Sequence, residues 1–139
     1  MRSLILSLLL VLTSLTVNSQ EKEGVTITVT VENVQNNNGI VAFALHTEET
    51  FMKGNGVANA SSKIEGDKVQ VTFNNVSPGD YALMVLHDEN ENNRMDYHDN
   101  GMPKETYGMS NNVMSFGPPQ YEDAKFLVSN KDLELSIRF

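Results

Sequence analysis

From Val25 onward the chain alternates apolar and polar side chains with a period of two. Val25, Ile27, Val29 and Val31 alternate with Thr26, Thr28, Thr30 and Glu32, the pattern of a β-branched strand with one face in a core. Asn36-Asn37-Asn38-Gly39 follows, and Asn-Gly tolerates the positive φ angles of a tight hairpin turn. Ile40 to Leu45 is apolar on both faces, which predicts a central strand. Residues 47–66 are polar and rich in Gly, Asn and Ser, so we expect a loop anchored by Phe51 and Met52. Val69, Val71 and Phe73 alternate with Gln70, Thr72 and Asn74. Ser77-Pro78-Gly79-Asp80 has turn chemistry. Tyr81, Leu83 and Val85 then face one way and Ala82, Met84 and Leu86 the other, a second central strand. Ala124–Val128 and Leu133–Phe139 supply two closing strands. No window of helical length carries a sustained 3.6-residue stripe. The pattern predicts an all-β chain: a single antiparallel β-sandwich of about seven strands, with a long loop inserted before the last two.

The start of the chain has a different character. Arg2 precedes the short apolar run Leu4–Leu12, and Val17-Asn18-Ser19 offers tolerated residues at a cleavage site, the anatomy of a secretory signal peptide. The run is well short of the roughly 20 residues a membrane span needs. We expect a leader over 1–19, cleavage after Ser19, and an exported, periplasmic or secreted domain over 20–139 with no membrane span. Cleavage removes Arg2, leaving nine basic against eighteen acidic residues, a formal charge of −9 on 120 residues. That balance argues against nucleic acid or an anionic membrane as partner. The absence of Cys excludes a disulfide framework, a Cys-based zinc site, a Cys nucleophile and a lipidated N-terminal Cys.

Acidity concentrates where the strand pattern stops. Residues 88–123 show neither period, and a structureless stretch of that length in a small domain is functional or held by something. Counting from Asp88, oxygen side chains fall at loop positions one, three, five, nine and twelve: Asp88, Asn90, Asn92, Asp96 and Asp99. The twelve-residue loop of an EF-hand uses this spacing because the chain winds around a cation with 6–8 oxygen ligands, the seventh position giving its backbone carbonyl. Here that residue is Arg94, and Met95 is the apolar residue that would pin the loop. Two departures stand out. Asn93 replaces the usual Gly at position six, Asn being the next best residue for a left-handed turn. Asp99 replaces the bidentate Glu at position twelve. The spacing predicts a structural Ca²⁺ site of weak, extracellular affinity, on the order of 10⁻⁴ to 10⁻³ M. The flanking helices of an EF-hand are missing, so the ion would staple the loop rather than switch it.

Gly39–Leu45, Pro78–Asn90, Gly101-Met102-Pro103-Lys104-Glu105, Tyr107–Asn112 and Phe116-Gly117-Pro118-Pro119 together resemble DUF2141, a family of exported bacterial proteins. The resemblance covers about residues 25–139. It implies a β-sandwich like the transthyretin-like and carboxypeptidase-regulatory-like modules, with no assigned activity, substrate or partner. The family pattern often carries Gly where Asn93 stands and does not require an acid at Asp99. It thus leaves Asp88, Asn90, Asn92 and Asp96 as the core ligand set and makes Glu105 a reserve carboxylate.

Other candidates are weaker. Residues 100–123 read as an Ω-like surface loop in which Tyr107, Asn111, Asn112 and Phe116 could form a ligand face, against the plainer expectation that its aromatics pack on themselves. His46 and His87 both end central strands, so with His98 they could assemble a zinc site, although nothing in their spacing enforces it. Ser77, Ser110 and Ser115 lack a nucleophile-elbow context, and there is no phosphate-binding Gly-rich loop. We therefore expect a monomeric, non-enzymatic module that binds an envelope protein or a glycan. The alternative is a small envelope hydrolase or carbohydrate-active protein using a metal or histidine near the same loop.

Overall fold

In the computed structural model, residues 24–114 and 116–139 are described; the expected leader over 1–19 and Ser115 lie outside them. Among the described residues, eight strands form two sheets. One has the order β4-β1-β8, built from β1 (Val25–Glu32), β4 (Val69–Val76) and β8 (Leu133–Arg138). The other has the order β3-β2-β5-β6, built from β2 (Ile40–His46), β3 (Ala58–Lys63), β5 (Gly79–Asp88) and β6 (Tyr107–Met109), with β7 (Lys125–Val128) also paired to β5. The all-β sandwich is as the periodicity predicts. Pairing is antiparallel throughout except between β1 and β8, which run parallel in register from Ile27↔Leu133 to Glu32↔Arg138.

The alternating positions explain which faces meet. Val25, Ile27, Val29 and Val31 of β1 are buried and pack with Phe73 and Ile137 from their own sheet and Val41, Phe43, Leu45, Leu83, Val85 and Val128 from the other. Central position is legible where both faces are apolar: β2 and β5 share a seven-residue register from Ile40↔Asp88 to His46↔Ala82. A smaller core of Phe51, Ala82, Met109 and Ala124, with Met84, Val113 and Tyr121 against it, lies apart from the main cluster.

Several expectations are corrected. Asn36–Gly39 bends the chain, with Gly39 at φ 68°, but it closes no hairpin. Both edges of β1 are taken by β4 and β8, so β2 must start the other sheet. The segment 47–66 contains β3, an edge strand of Ala, Asn, Ser and Lys whose register against β2 runs from Ile40↔Lys63 to Leu45↔Ala58. Phe51 is buried as expected, whereas Met52 is half exposed with φ 59°. Within the interruption, β5 runs on to Asp88, β6 adds an edge strand, and the one-turn helix α1 (Tyr121–Ala124) precedes β7. Residues 100–123 therefore carry regular structure where an Ω-like loop was expected: Met109 enters the second core with Val113 and Tyr121 packed against it, while Met102 and Phe116 are exposed.

β5 is longer than either strand on its second edge. β7 pairs with Gly79–Ala82 and β6 with Met84–Leu86, which leaves Leu83 opposite neither. Ser110, fully buried in a single 3₁₀ turn after β6, fills the break. Its Oγ accepts from the Leu83 amide at 2.9 Å and donates to the Ala124 carbonyl. One hydroxyl thereby satisfies two buried backbone groups between successive edge strands.

Candidate metal centre

β5 delivers Asp88 to the rim of the sandwich, and the chain wraps over it until the carboxylate is fully buried. Asp88 Oδ1 accepts from the Asn92 amide at 3.1 Å and Oδ2 from the Asn93 amide at 2.7 Å. A buried carboxylate needs such charge-assisted donors, because an unpaired buried charge is strongly unfavourable. These two bonds pull loop positions five and six back over position one. Asn93 makes the reversal at φ 61°, the left-handed conformation expected of it.

Positions three, five and nine meet at one point. Asn90 Nδ2 and Asn92 Nδ2 donate to the same oxygen, Asp96 Oδ2, at 2.7 and 2.8 Å. The amide oxygens are also engaged: Asn90 Oδ1 accepts from the Asn92 amide and Asn92 Oδ1 from the Arg94 amide, each at 3.2 Å. Arg94 Nε stands 3.9 Å from Asp96 Oδ1 on a side chain 76 % exposed, where an ion pair contributes little. Met95 is half-buried.

Asp99 is elsewhere. The segment after Asp96 folds into a small hairpin, with Tyr97 bridged to Pro103, the His98 amide donating to Met102 O at 2.8 Å and the Lys104 amide to Asp96 O at 2.8 Å. Asp99 sits exposed in the bend of that hairpin. The return strand instead brings in Glu105, which is buried. Its Oε1 accepts from the Glu89 amide at 3.0 Å and its Oε2 from the Asp96 amide at 3.2 Å. Glu105 thus closes the loop at both its entrance and its ninth position. Its oxygens and those of Asp88, Asn90, Asn92 and Asp96 are the hard donors that suit Ca²⁺. Among the described residues, no group of three or more carboxylates or histidines stands close enough to hold a metal by itself.

The crossover before β2 braces the loop from below. Asn36 Nδ2 donates to Glu89 Oε1 at 2.9 Å, and His87 Nε2 is 2.8 Å from Asn38 O. Gly39 lies against the Asp88 carbonyl, and a Cβ added there would stand 2.7 Å from Glu89 Cα. Nothing in the sequence spacing shows this brace; it follows from the β2–β5 register.

Compared with known families, residues 29–136 match the one described as uncharacterized protein conserved in bacteria (DUF2141). The chain belongs to DUF2141. Curated proteins give no match to it. The whole acidic loop of this DUF2141 protein, its Glu105 closure and the β5 strand that presents it fall inside the matched region.

The histidines of the DUF2141 domain do not assemble. β2 and β5 are antiparallel, and His87 pairs with Val41 while His46 pairs with Ala82. Five residues of strand separate the two, roughly 16 Å. His46 is buried, its Nδ1 3.1 Å from Thr50 Oγ1 and its ring edge-on to Phe51. Burial lowers its pKa below the ordinary 6.5, against a smaller upward pull from hydrogen bonding at Thr50. His87 is buried and stacked on Phe139. His98 is exposed.

Of Tyr107, Asn111, Asn112 and Phe116, the two asparagines are committed to backbone groups. Tyr107 is half-buried in β6. Asn111 Nδ2 donates to the carbonyls of Asp123 and Lys125, at 2.9 and 3.0 Å. Asn112 bonds Ser136 O and the Arg138 amide, each at 2.8 Å, capping the outer edge of β8. Phe116 projects fully into solvent. An open cleft of about 430 Å³ at the other end of β5 is lined by Thr47, Glu48, Glu49, Asp80, Tyr121, Glu122 and Lys125. Burial, with Asp80 and Glu48 nearby, pushes the pKa of the Tyr121 hydroxyl upward, so it keeps its proton. Among the described residues no helix is long and apolar enough to cross a membrane.

Proposed function

We propose that this DUF2141 protein is an exported, non-enzymatic interaction module whose acidic loop is stapled by Ca²⁺. The ligand set is Asp88, Asn90, Asn92 and Asp96 with the Arg94 carbonyl, and Glu105 takes the role first expected of Asp99. The observation that carries the proposal is the convergence of loop positions three and five on Asp96 at position nine, with Asp88 and Glu105 at the two ends. The Asn90 and Asn92 side-chain N–H groups meet the Asp96 carboxylate where a cation would stand. Rotating the two amides exchanges N–H donors for oxygen ligands, the kind of reassignment an amide makes according to its partner. The expected chain has no disulfide, so an ion that binds only the folded loop adds stability by mass action. The binding role is supported by the engagement of Ser110, His46 and His87 within the fold, with Ser77 and His98 exposed among the described residues.

Thermal unfolding tests the ion. Millimolar Ca²⁺ raises the melting temperature of the wild type, EDTA reverses the rise, and Asp96→Asn abolishes it. No rise, or an equal rise in Asp96→Asn, overturns the proposal.

A further inference from the structure

The chain has three Asn-Gly pairs, at 38–39, 55–56 and 100–101, and the fold treats them differently. In such a pair the Gly nitrogen, once deprotonated, attacks the preceding Asn Cγ. The new N–Cγ bond closes a succinimide ring, the C–N bond of the side-chain amide breaks, and ammonia leaves. Water then opens the ring at either carbonyl and yields Asp or isoaspartate. Reaction requires an uncommitted Gly N–H and a side chain free to swing onto it.

Two of the three pairs are held. The Gly56 amide donates to Asn59 Oδ1 at 3.0 Å, inside a reciprocal pair completed by Asn59 Nδ2 to Gly56 O. The Gly101 amide donates to His98 O at 2.8 Å, and Asn100 Oδ1 is occupied by the Met102 amide at 3.1 Å. Asn38 is exposed, and among the described residues neither its side chain nor the Gly39 amide makes a hydrogen bond. The carbonyl of the reacting peptide bond is engaged in the opposite sense. Asn38 O lies 2.8 Å from Nε2 of buried His87, and since a carbonyl only accepts, Nε2 carries the proton. Donation to that oxygen stabilises the negative charge that develops on it when the Gly39 nitrogen loses its proton, as an oxyanion hole does for a developing alkoxide.

We infer that Asn38 is the site of succinimide-forming deamidation in the folded protein, activated through the Asn38 carbonyl by His87. The product sits at the foot of the acidic loop. A new carboxylate arises two residues from Asn36, which holds Glu89, and isoaspartate lengthens the backbone where Gly39 has no room against Asp88. The inference does not depend on a bound ion.

Peptide mapping by mass spectrometry tests it on the intact chain, aged in mildly alkaline buffer both folded and in urea. Unfolded, the three pairs convert at comparable rates. Folded, Asn38 is expected to accumulate Asp and isoaspartate several-fold faster than Asn55 and Asn100. Conversion at Asn55 or Asn100 as fast as at Asn38 in the folded chain overturns the inference, as does suppression of Asn38 by folding to the level of the other two.

Discussion

Ser110→Ala is the sharpest test of how β5 carries two edge strands end to end. The substitution removes one oxygen and leaves the Leu83 N–H and the Ala124 C=O without partners in a region where Leu83, Ser110 and Ala124 are all fully buried. Each unsatisfied buried group costs about 1–3 kcal/mol, so the pair costs roughly 3 kcal/mol. Set against a total of about 5–15 kcal/mol for a domain, that is a large share of the stability. The melting temperature should fall by roughly 10 °C. Urea unfolding gives the magnitude, with an unchanged dependence on denaturant showing that the folded and unfolded states are otherwise the same. Hydrogen exchange at the Leu83 amide gives the location, because its protection should drop further than that of Val85. Ser77→Ala is the control. Ser77 is exposed and accepts the Tyr81 hydroxyl only through its backbone carbonyl, so the change should stay within about 0.5 kcal/mol. A cost for Ser110→Ala as small as the control's would refute the assignment of Ser110 as the stitch between β6 and β7.

Two further substitutions probe separate features. Asn93 holds φ 61°, so Asn93→Ala should lose about 1 kcal/mol in urea unfolding while Asn93→Gly stays within about 0.5 kcal/mol, the left-handed conformation being costly only for the residue with an unassisted Cβ. Equal losses for both would place the requirement in the Asn side chain. His46 is kept neutral by burial, with its pKa below the ordinary 6.5; as pH falls below that value the unfolded chain takes up a proton that the folded chain resists. Stability therefore falls with pH until the folded-state pKa is passed, and this loss should be absent in His46→Gln. A constant difference between the two stability curves from neutral pH down to about 5 would contradict that sign.

The strands were legible where side chains carry a strong contrast. Val25–Val31 and Leu133–Ile137 alternate with large aliphatics, and β2 and β5 are apolar on both faces, so each stood out. β3 did not, because Ala58, Ala60 and Ser62 alternate with Asn59, Ser61 and Lys63, and the contrast between small residues is faint until β2 supplies the partner. β6 is three residues around Gly108 and exists because β5 has edge left beyond β7. Turn chemistry at Asn36–Gly39 located a bend but not the sheet its far side joins. In the candidate site, local spacing anticipates that Asp88, Asn90, Asn92 and Asp96 come together, because their contacts lie within one winding of the chain. It placed Asp99 at the closure and left Glu105 in reserve, because the 97–103 hairpin removes Asp99 from the loop and returns Glu105 to it. Ser110 and the His87–Asn38 contact depend on register between distant strands, which no local pattern encodes.

Isothermal titration of Ca²⁺ into the wild type, Glu105→Gln and Asp99→Asn tests the central claim most directly. One ion per folded chain, bound at a dissociation constant on the order of 10⁻⁴ to 10⁻³ M, weakened strongly by Glu105→Gln and left intact by Asp99→Asn, is the predicted result. No saturable binding by the wild type, or loss through Asp99→Asn with Glu105→Gln unaffected, would contradict it.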